Sequence, residues 1–249
     1  MDWSFQLYSA RNFQPWPSVL DMLARLGYAQ VEGFGDLYHD AATRADLDRR
    51  GLAMPSGHFA MDLLESDFPA ARRIAETLGM RMIACPYVEA ADRPADAAGW
   101  RDFGLRLGRI GKAAETAGLG FAWHNHEFEF EALADGSLPL THILDAAPGI
   151  GWEIDVAWVI RGGGDPLEWI DRYGDRIVAA HVKDIAPAGQ ALDEDGWADV
   201  GHGTVDWAGL MGALRNRTPA KIFVMEHDNP ADLERFARRS IATARTLEH

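Results

Sequence analysis

Short apolar runs alternate with longer amphipathic segments from the beginning of the chain to its end. The apolar runs predict eight β-strands, over Phe5–Tyr8, Gln30–Glu32, Ala53–His58, Met82–Cys85, Phe121–His126, Gly151–Asp155, Ile177–Val182 and Ile222–Glu226. The segments between and after them predict helices, over Pro17–Leu26, Thr43–Arg50, Pro69–Leu78, Trp100–Ala117, Leu140–Ala146, Pro166–Tyr173, Trp207–Asn216 and Asp232–Leu247.

Glycines at the ends of the predicted helices help to define the fold class. Gly27, Gly51, Gly79, Gly118 and Gly174 each follow a predicted helix, where a left-handed cap is expected. Repeated helix–glycine–strand units imply parallel strands joined by right-handed crossovers, and about eight of them close a (β/α)₈ TIM barrel. An open doubly wound sheet is the alternative, but no G-x-G-x-x-G follows the first strand. We therefore predict a single α/β domain.

The predicted barrel covers residues 1–246. The last three residues, Leu247-Glu248-His249, resemble the start of a cloning tag and are left out of the site.

Composition narrows the possible partners. The chain has 249 residues and a formal net charge of −14, so it has no basic surface typical of nucleic-acid binding. No apolar run approaches the length of a membrane span, and no signal peptide precedes the first strand. The single cysteine, Cys85, fits a reducing compartment, and as the last residue of an apolar run it is more typical of a core position than of a nucleophile. We expect a cytoplasmic protein.

A histidine-rich stretch, Phe121–Phe130, comprises the fifth predicted strand and the four residues after it. Strand alternation places His124 and His126 on one face and Asn125 on the other. Imidazole nitrogens and carboxylate oxygens at a strand end suit a divalent metal ion. Two core histidines followed by an acidic loop would give the same sequence pattern.

Other predicted strands end in groups of the same kind. The residues in question are His58 after the third strand, Asp155 after the sixth, His181 and Lys183 after the seventh, and Glu226 after the eighth. Each has an ordinary structural explanation by itself. In a barrel, however, these ends meet on one axis, and buried charges are costly unless they are paired or bound to a metal. Together they predict a metal site.

Several motifs resemble the xylose-isomerase-like TIM-barrel superfamily, the sugar phosphate isomerase/epimerase group. They are Trp152–Asp155, Ala180–Asp184, Val200–Trp207 and Val224–His227. The segment Trp123–Phe130 is similar to the branch of inosose-dehydratase-like and 3-keto-glycoside lyase-like proteins. The resemblance covers essentially the whole chain and is specific for the superfamily but not for a substrate.

The resemblance implies one divalent ion, which could be Mn²⁺, Co²⁺, Zn²⁺ or Mg²⁺. Asp155, His181 and Glu226 match three of the family's four metal ligands. The fourth is commonly a glutamate on the fifth strand, and here His124 stands about where it is expected. The alternatives for this ligand are His126, Glu127 and Glu129.

The same resemblance implies an isomerase or epimerase that forms an enediolate by removing a proton next to a carbonyl. Glu226 and His126 are the candidate bases, and Lys183 is expected to bind a substrate oxygen unless it only pairs with Asp184 or Glu153. The further substrate contacts that we expect are His58, Glu129 and Trp158, which replaces a histidine common in relatives.

Other outcomes remain open on the sequence. If a β-substituent leaves, the same first step gives a dehydratase or lyase of keto-sugars, inososes or 3-keto-glycosides. A metal-free sugar-binding barrel and an apurinic-endonuclease-like phosphodiesterase are the remaining hypotheses, the latter requiring more ligands and a basic face. We expect a small-molecule sugar or cyclitol as substrate and allow for a homo-oligomer.

Overall fold

The computed structural model describes residues 1–39 and 42–248 and contains a closed barrel of eight parallel strands. The described residues form ten strands in all, of which eight belong to the barrel: β1 (Trp3–Gln6), β2 (Gln30–Phe34), β3 (Ala53–His58), β4 (Met82–Cys85), β5 (Gly120–His124), β6 (Gly151–Asp155), β7 (Ile177–Val182), β8 (Asp184–Ile185), β9 (Trp197–Ala198) and β10 (Ile222–Met225). Barrel order is β1-β10-β7-β6-β5-β4-β3-β2, and β8 and β9 form a separate antiparallel pair. The predicted single-domain TIM barrel is confirmed.

Helices surround the barrel between the strands. They are α1 (Trp16–Leu26), α2 (Thr43–Arg50), α3 (Met61–Ser66), α4 (Phe68–Leu78), α5 (Ala97–Thr116), α6 (Pro139–Ala146), α7 (Val156–Arg161), α8 (Pro166–Tyr173), α9 (Trp207–Arg217) and α10 (Leu233–Thr246). Short 3₁₀ helices span Leu7–Ala10, Gly35–His39, Ala90–Asp92, Phe128–Phe130, Gly174–Arg176 and Leu192–Glu194. His249, assigned above to a cloning tag, lies outside the described residues.

Most predicted boundaries agree with the structure to within two residues, although the helix predicted from Trp100 begins at Ala97. The first strand ends at Gln6, so Tyr8 belongs to a 3₁₀ helix, and β5 ends at His124, so His126 lies beyond the strand. Alternation did not predict α3, α7 or the β8–β9 pair, because these elements are shorter than the window in which a period can be recognised.

Four of the five predicted glycine caps have a left-handed backbone: φ is +91° at Gly27, +65° at Gly51, +77° at Gly79 and +76° at Gly118. The prediction is wrong for Gly174, whose φ is −54°. There a Cβ atom would lie 2.7 Å from the backbone oxygen of Arg217, so close approach of the chain explains the glycine.

The barrel interior changes character along its axis. Its amino-terminal part is filled by apolar side chains, most of them small: Met82, Ala84, Ala122, Ala179, Ile222 and Val224. Side chains two residues apart in a strand lie on the same face, so the interior face of β5 continues from Ala122 to His124 and that of β7 from Ala179 to His181. On β6 the corresponding residues are Glu153 and Asp155. An apolar floor therefore lies beneath a polar layer at the carboxyl ends of the strands.

Strand register brings particular polar residues side by side. His124 is paired with Glu153 across β5 and β6, and Asp155 is paired with His181 across β6 and β7. Glu32 on β2 is paired with Ser56 on β3. Backbone pairing of neighbouring parallel strands thus fixes the height of each functional group within a few ångströms.

Two other expectations concern features outside the barrel mouth. Cys85 is fully buried, and burial raises the pKa of its thiol to about 12, as fits a core residue rather than a nucleophile. Among the helices of the described residues, none has the length and apolar character needed to cross a membrane.

Candidate metal centre

A cavity of about 950 Å³ opens at the carboxyl end of the barrel. His58, His124, His126 and Glu226 contribute to its polar wall, as does Asp228. The apolar and aromatic part of its lining includes Tyr8, Phe34, Met61, Tyr87, Val88, Phe103 and Trp158. Charged side chains also line the cavity at Asp62, Glu89, Asp92 and Arg106, so the cavity combines charged and aromatic groups.

The four predicted metal ligands lie together beneath this cavity. One ligand atom from each of His124, Asp155, His181 and Glu226 lies within 4.8 Å of the others, and all four residues are buried. The structure therefore brings the predicted set together, and their role as ligands stays a proposal.

Asp155 uses its two carboxylate oxygens differently. Oδ1 accepts the backbone N–H of Trp158 at 2.9 Å and caps α7, whereas Oδ2 is buried without a hydrogen-bond partner among the described residues. Burial raises the pKa of this carboxyl to about 7, against the lowering effect of the Lys183 charge. Capping and metal ligation are therefore compatible in this residue.

His181 is held from both sides by carboxylates. Its Nδ1 lies 2.9 Å from Oε2 of Glu226, and its Nε2 lies 2.7 Å from Oε2 of Glu32. Burial alone would lower the pKa of His181, but the charges of Glu226, Glu153 and Glu32 raise it well above its usual value. The ring orientation is thus fixed within the cluster.

Lys183 is completely buried and lies inside the cluster. Its Nζ donates to Asp228 at 2.6 Å and to Glu226 at 3.3 Å, and lies 3.8 Å from Asp155. Its ion-pair partners are therefore groups of the candidate site, not Asp184 or Glu153. The ammonium also lies 4.8 Å from the ring centre of Trp158 and 4.2 Å from that of Trp197.

Two fully buried glutamates extend the cluster deeper into the barrel. Glu32 accepts from the side chains of Gln6 at 2.8 Å and Ser56 at 2.5 Å, while Glu153 Oε2 lies 2.7 Å from Nε2 of His58. Sequence reasoning gave neither glutamate a role in the site. Strand alternation was the available signal, because Glu153 lies two residues before Asp155 on the same face.

His58 is placed at the junction of the cavity and this deeper layer. Its Nε2 lies 2.7 Å from Glu153 and 3.2 Å from Glu32. Burial disfavours the imidazolium, but the charges of Glu32 and Glu153 raise the pKa of His58 to about 10. The residue lines the cavity, as a substrate contact would, and is also ion-paired.

Some residues of the histidine-rich stretch belong to the site, and others hold those residues in position. Asn125 points away from the cavity: its Oδ1 accepts from the backbone N–H of Asp155 and from Nε1 of Trp152, both at 2.9 Å. Its Nδ2 donates to the backbone oxygen of Asp155 at 3.1 Å. The amide therefore ties the end of β5, and with it His124, to the end of β6.

His126 lines the cavity, and its buried Nδ1 has no hydrogen-bond partner among the described residues. Burial and the nearby charges of His124 and Lys183 lower the pKa of His126 well below its usual value. Its imidazole is consequently neutral at neutral pH.

Glu129 and Glu127 lie apart from the clustered ligand atoms. The Glu129 carboxylate is fully buried and accepts from Nε1 of Trp123 and from the backbone N–H of His126, both at 2.9 Å. Burial raises the pKa of Glu129 to about 8. Neither residue is among the cavity-lining residues, so Glu129 supports the position of His126 instead of facing the cavity.

Trp158 follows Asp155 on the first turn of α7 and forms part of the cavity wall. Its ring centre lies 5.4 Å from that of His126 and 4.7 Å from that of Trp197. The indole therefore lies in the cavity wall, and its role as a substrate contact stays a proposal.

The donor set fits a divalent cation. Three buried ligand atoms have no hydrogen-bond partner among the described residues: Nδ1 of His124, Oδ2 of Asp155 and Oε1 of Glu153. Unpaired polar atoms in a low-dielectric interior are costly, and a cation among them would satisfy them. Imidazole and carboxylate donors suit Zn²⁺, Co²⁺ or Mn²⁺.

His227, next to Glu226, provides a test of stability against pH. It is fully buried, its Nδ1 accepts the backbone N–H of Asn229 at 3.2 Å, and burial lowers its pKa to about 4. The folded state binds fewer protons than the unfolded state between pH 4 and 6.5. His227 therefore does not reduce the free energy of unfolding above pH 6.5. As the pH drops towards 4, this residue lowers the free energy of unfolding by about 3 kcal/mol.

We expect His227→Asn, which keeps an acceptor for Asn229, to flatten this decline although it loses ring packing against Phe236. Urea unfolding of metal-free protein at pH 7 and pH 4.5 measures the difference, with His142→Asn as the control. Equal pH dependence in the variant and the wild type would contradict the assignment.

Comparison with known proteins agrees with this architecture. The chain matches the family described as xylose isomerase-like TIM barrel over residues 20–247. The chain belongs to this family. A comparison with curated proteins finds no significant match.

Solved structures extend the likeness to the fold as a whole. A sugar phosphate isomerase/epimerase from Parabacteroides distasonis has a TM-score of 0.79 at 20% identity, covering 96% of this chain and 92% of that chain. The probable 3-DHS dehydratase AsbF from Bacillus anthracis has a TM-score of 0.77 at 14% identity, with coverage of 98% and 99%. The IolI protein, described with a binding zinc atom, has a TM-score of 0.79 at 14% identity, with coverage of 99% and 98%. Structural neighbours of this xylose isomerase-like barrel thus include isomerases, epimerases and dehydratases.

Proposed function

We propose that this protein is a divalent-metal-dependent sugar isomerase or epimerase that forms an enediolate by removing a proton next to a carbonyl. The observation that carries the proposal is the convergence of buried imidazole and carboxylate ligand atoms within 4.8 Å beneath a cavity of about 950 Å³. Family membership and the named activities of structural neighbours support it.

The ion would be held by the buried ligand atoms beneath the cavity, among which His124 and His181 belong to every close set. When bound, it supplies a Lewis acid that polarises the substrate carbonyl and so acidifies the adjacent C–H.

His126 is the base that we assign to the proton transfer. It lines the cavity, and its lowered pKa keeps the imidazole neutral at neutral pH. An imidazole nitrogen of His126 takes the proton from the carbon next to the carbonyl. Return of the proton to the neighbouring carbon gives an isomer, and delivery of a proton to the opposite face of the first carbon by a second group, such as Glu226 in the cavity wall, gives an epimer. Glu226, also in the cavity wall, is the alternative base.

Lys183 and Asp228 position the substrate. The buried ammonium of Lys183 donates to Asp228 at 2.6 Å, and Asp228 lines the cavity. The carboxylate of Asp228 is therefore fixed where it can accept a hydrogen bond from a substrate hydroxyl. Sequence reasoning assigned Asp228 no role. The Trp158 indole supplies an apolar face for the sugar ring and helps to exclude water.

A lyase or dehydratase is the second candidate function, and cavity size favours it. About 950 Å³ lies at the upper end of the roughly 300–1,000 Å³ typical of ligand sites. The aromatic wall that includes Phe34, Tyr87 and Phe103 could receive the second group of a keto-glycoside. If that β-substituent leaves after His126 has taken the proton, elimination replaces isomerisation.

Exchange in D₂O tests the proposal and separates the two reactions. The protein is stripped with a chelator, reloaded with Mn²⁺, Co²⁺ or Zn²⁺, and incubated with unphosphorylated keto-sugars and keto-glycosides. We expect deuterium at the carbon next to the carbonyl without loss of water or an aglycone. Release of either product would assign the lyase, and absence of exchange with every ion and substrate would contradict both functions. Chelator-treated protein and His126→Asn serve as controls.

A further inference from the structure

The cluster contains two overlapping sets of close ligand atoms. The Asp155 set consists of His124, Asp155, His181 and Glu226, and the Glu153 set consists of His58, His124, Glu153 and His181. In each set the ligand atoms lie within 4.8 Å of one another. The two sets share two histidines, so a single ion has two alternative binding positions.

Three imidazole nitrogens converge on one oxygen in the Glu153 set. Oε2 of Glu153 lies 2.7 Å from Nε2 of His58, 3.2 Å from Nδ1 of His124 and 3.5 Å from Nε2 of His181. Tetrahedral coordination with metal–nitrogen distances near 2.0–2.1 Å separates neighbouring ligand atoms by about 3.3 Å. The distances from His124 and His181 match this spacing, and the shorter distance from His58 is that of a hydrogen bond, which an ion would replace.

Hydrogen bonding alone does not account for this convergence. Nδ1 of His124 lies close to Glu153 but makes no hydrogen bond with a described residue, and neither does Oε1 of Glu153. Both atoms belong to residues that are at most 2% exposed. Fully buried donors and acceptors are rarely left without a partner, and a cation at this position would engage both residues.

The Asp155 set already contains a positive charge of its own. Nζ of Lys183 lies 3.3 Å from Glu226 and 3.8 Å from Asp155, and it is completely buried. An ion bound there would face a fixed ammonium at short range in a medium of low dielectric constant. The carboxylate of the Glu153 set is ion-paired with imidazoles, which can give up a proton when an ion binds, and with no lysine or arginine among the described residues.

The Glu153 set also has the outer support that metal sites require. Nδ1 of His181 lies 2.9 Å from Oε2 of Glu226, so this carboxylate holds the ring from behind while Nε2 faces the Glu153 set. Carboxylates behind ligating histidines fix the ring orientation and raise its basicity. His58 and His124 line the cavity, so an ion bound here would be open to a substrate from the cavity side.

We propose that the divalent ion binds at His58, His124, Glu153 and His181, and that Lys183 replaces a cation in the Asp155 set. Three imidazoles and one carboxylate favour Zn²⁺ or Co²⁺ over Mg²⁺. The inference rests on the proposed function in one respect, since it takes a divalent ion to be the cofactor.

Metal titration of stripped protein tests the assignment with variants from each set. We expect one Co²⁺ per chain in the wild type. Glu153→Gln should weaken its affinity at least about 100-fold, whereas the matched variant Asp155→Asn should change it by less than about threefold. His124→Asn, common to both sets, is the positive control. Circular dichroism and thermal unfolding show whether each variant is folded.

A second measurement avoids variants altogether. In the Co²⁺-loaded wild type, paramagnetic NMR should show three hyperfine-shifted, exchangeable imidazole N–H signals, from His58, His124 and His181. Two signals, or a greater loss of affinity in Asp155→Asn than in Glu153→Gln, would overturn the assignment and leave the proposed metal dependence intact. Failure of the wild type to bind any ion would instead overturn the proposed function, and the assignment with it.

Discussion

Lys183→Met is expected to lower the free energy of unfolding by about 3–5 kcal/mol, because it leaves buried carboxylates without their counter-charge. The ammonium lies between Asp228, Glu226 and Asp155, and it is completely buried. The carboxylates of the variant can recover part of the loss by taking up protons, so destabilisation should be smaller at pH 5 than at pH 8. Chemical denaturation of metal-free protein at both pH values measures the effect.

Two further variants define the cause of this destabilisation. Lys112→Met removes an exposed lysine that pairs with Glu115, and should change stability by no more than about 0.5 kcal/mol. The double variant Lys183→Met/Asp228→Leu removes the closest partner as well and should recover part of the loss. If Lys183→Met is as stable as Lys112→Met, the ammonium does not neutralise the cluster.

His126→Asn is expected to reduce kcat by about 10²–10⁴-fold on any keto-sugar that the wild type converts, because it removes the base. Metal affinity should be unchanged, since His126 belongs to neither set of close ligand atoms. Rates and Co²⁺ titrations of the same preparations separate the two properties.

The control for this variant is His142→Asn, which removes a histidine of α6 that contacts Ser137 and lies outside the cavity wall. It should leave kcat unchanged. Loss of metal binding in His126→Asn would show that His126 acts as a ligand, and an unchanged kcat would assign the base to another residue such as Glu226.

The fold could be predicted from the sequence because its signal is repeated. Each of the eight units contains an apolar strand and an amphipathic helix, so an error at one boundary does not alter the count. Boundaries that depended on a few residues were less accurate, as at Tyr8 and His126. The segments Met61–Ser66 and Val156–Arg161 are helices too short to show a period.

The site was predictable only in part, for a physical reason. Residues at strand ends, such as Asp155, His181 and Glu226, could be aligned by topology alone, and the structure brings them together. Glu153 lies inside a predicted strand, where a buried carboxylate is unexpected until its partner is known, whereas Glu32 ends a predicted strand but was given no role. Their partner is His58, and strand pairing, not sequence distance, brings it near.

The contacts of Lys183 with two indoles have a spectroscopic consequence. Its ammonium lies 4.8 Å from the ring centre of Trp158 and 4.2 Å from that of Trp197, whose ring also lies 3.2 Å from the guanidinium carbon of Arg161. Indole emission depends on the electric field across the ring. A charge that arrives near Lys183 changes this field at both tryptophans, so the centre contains an intrinsic optical reporter of its own occupancy.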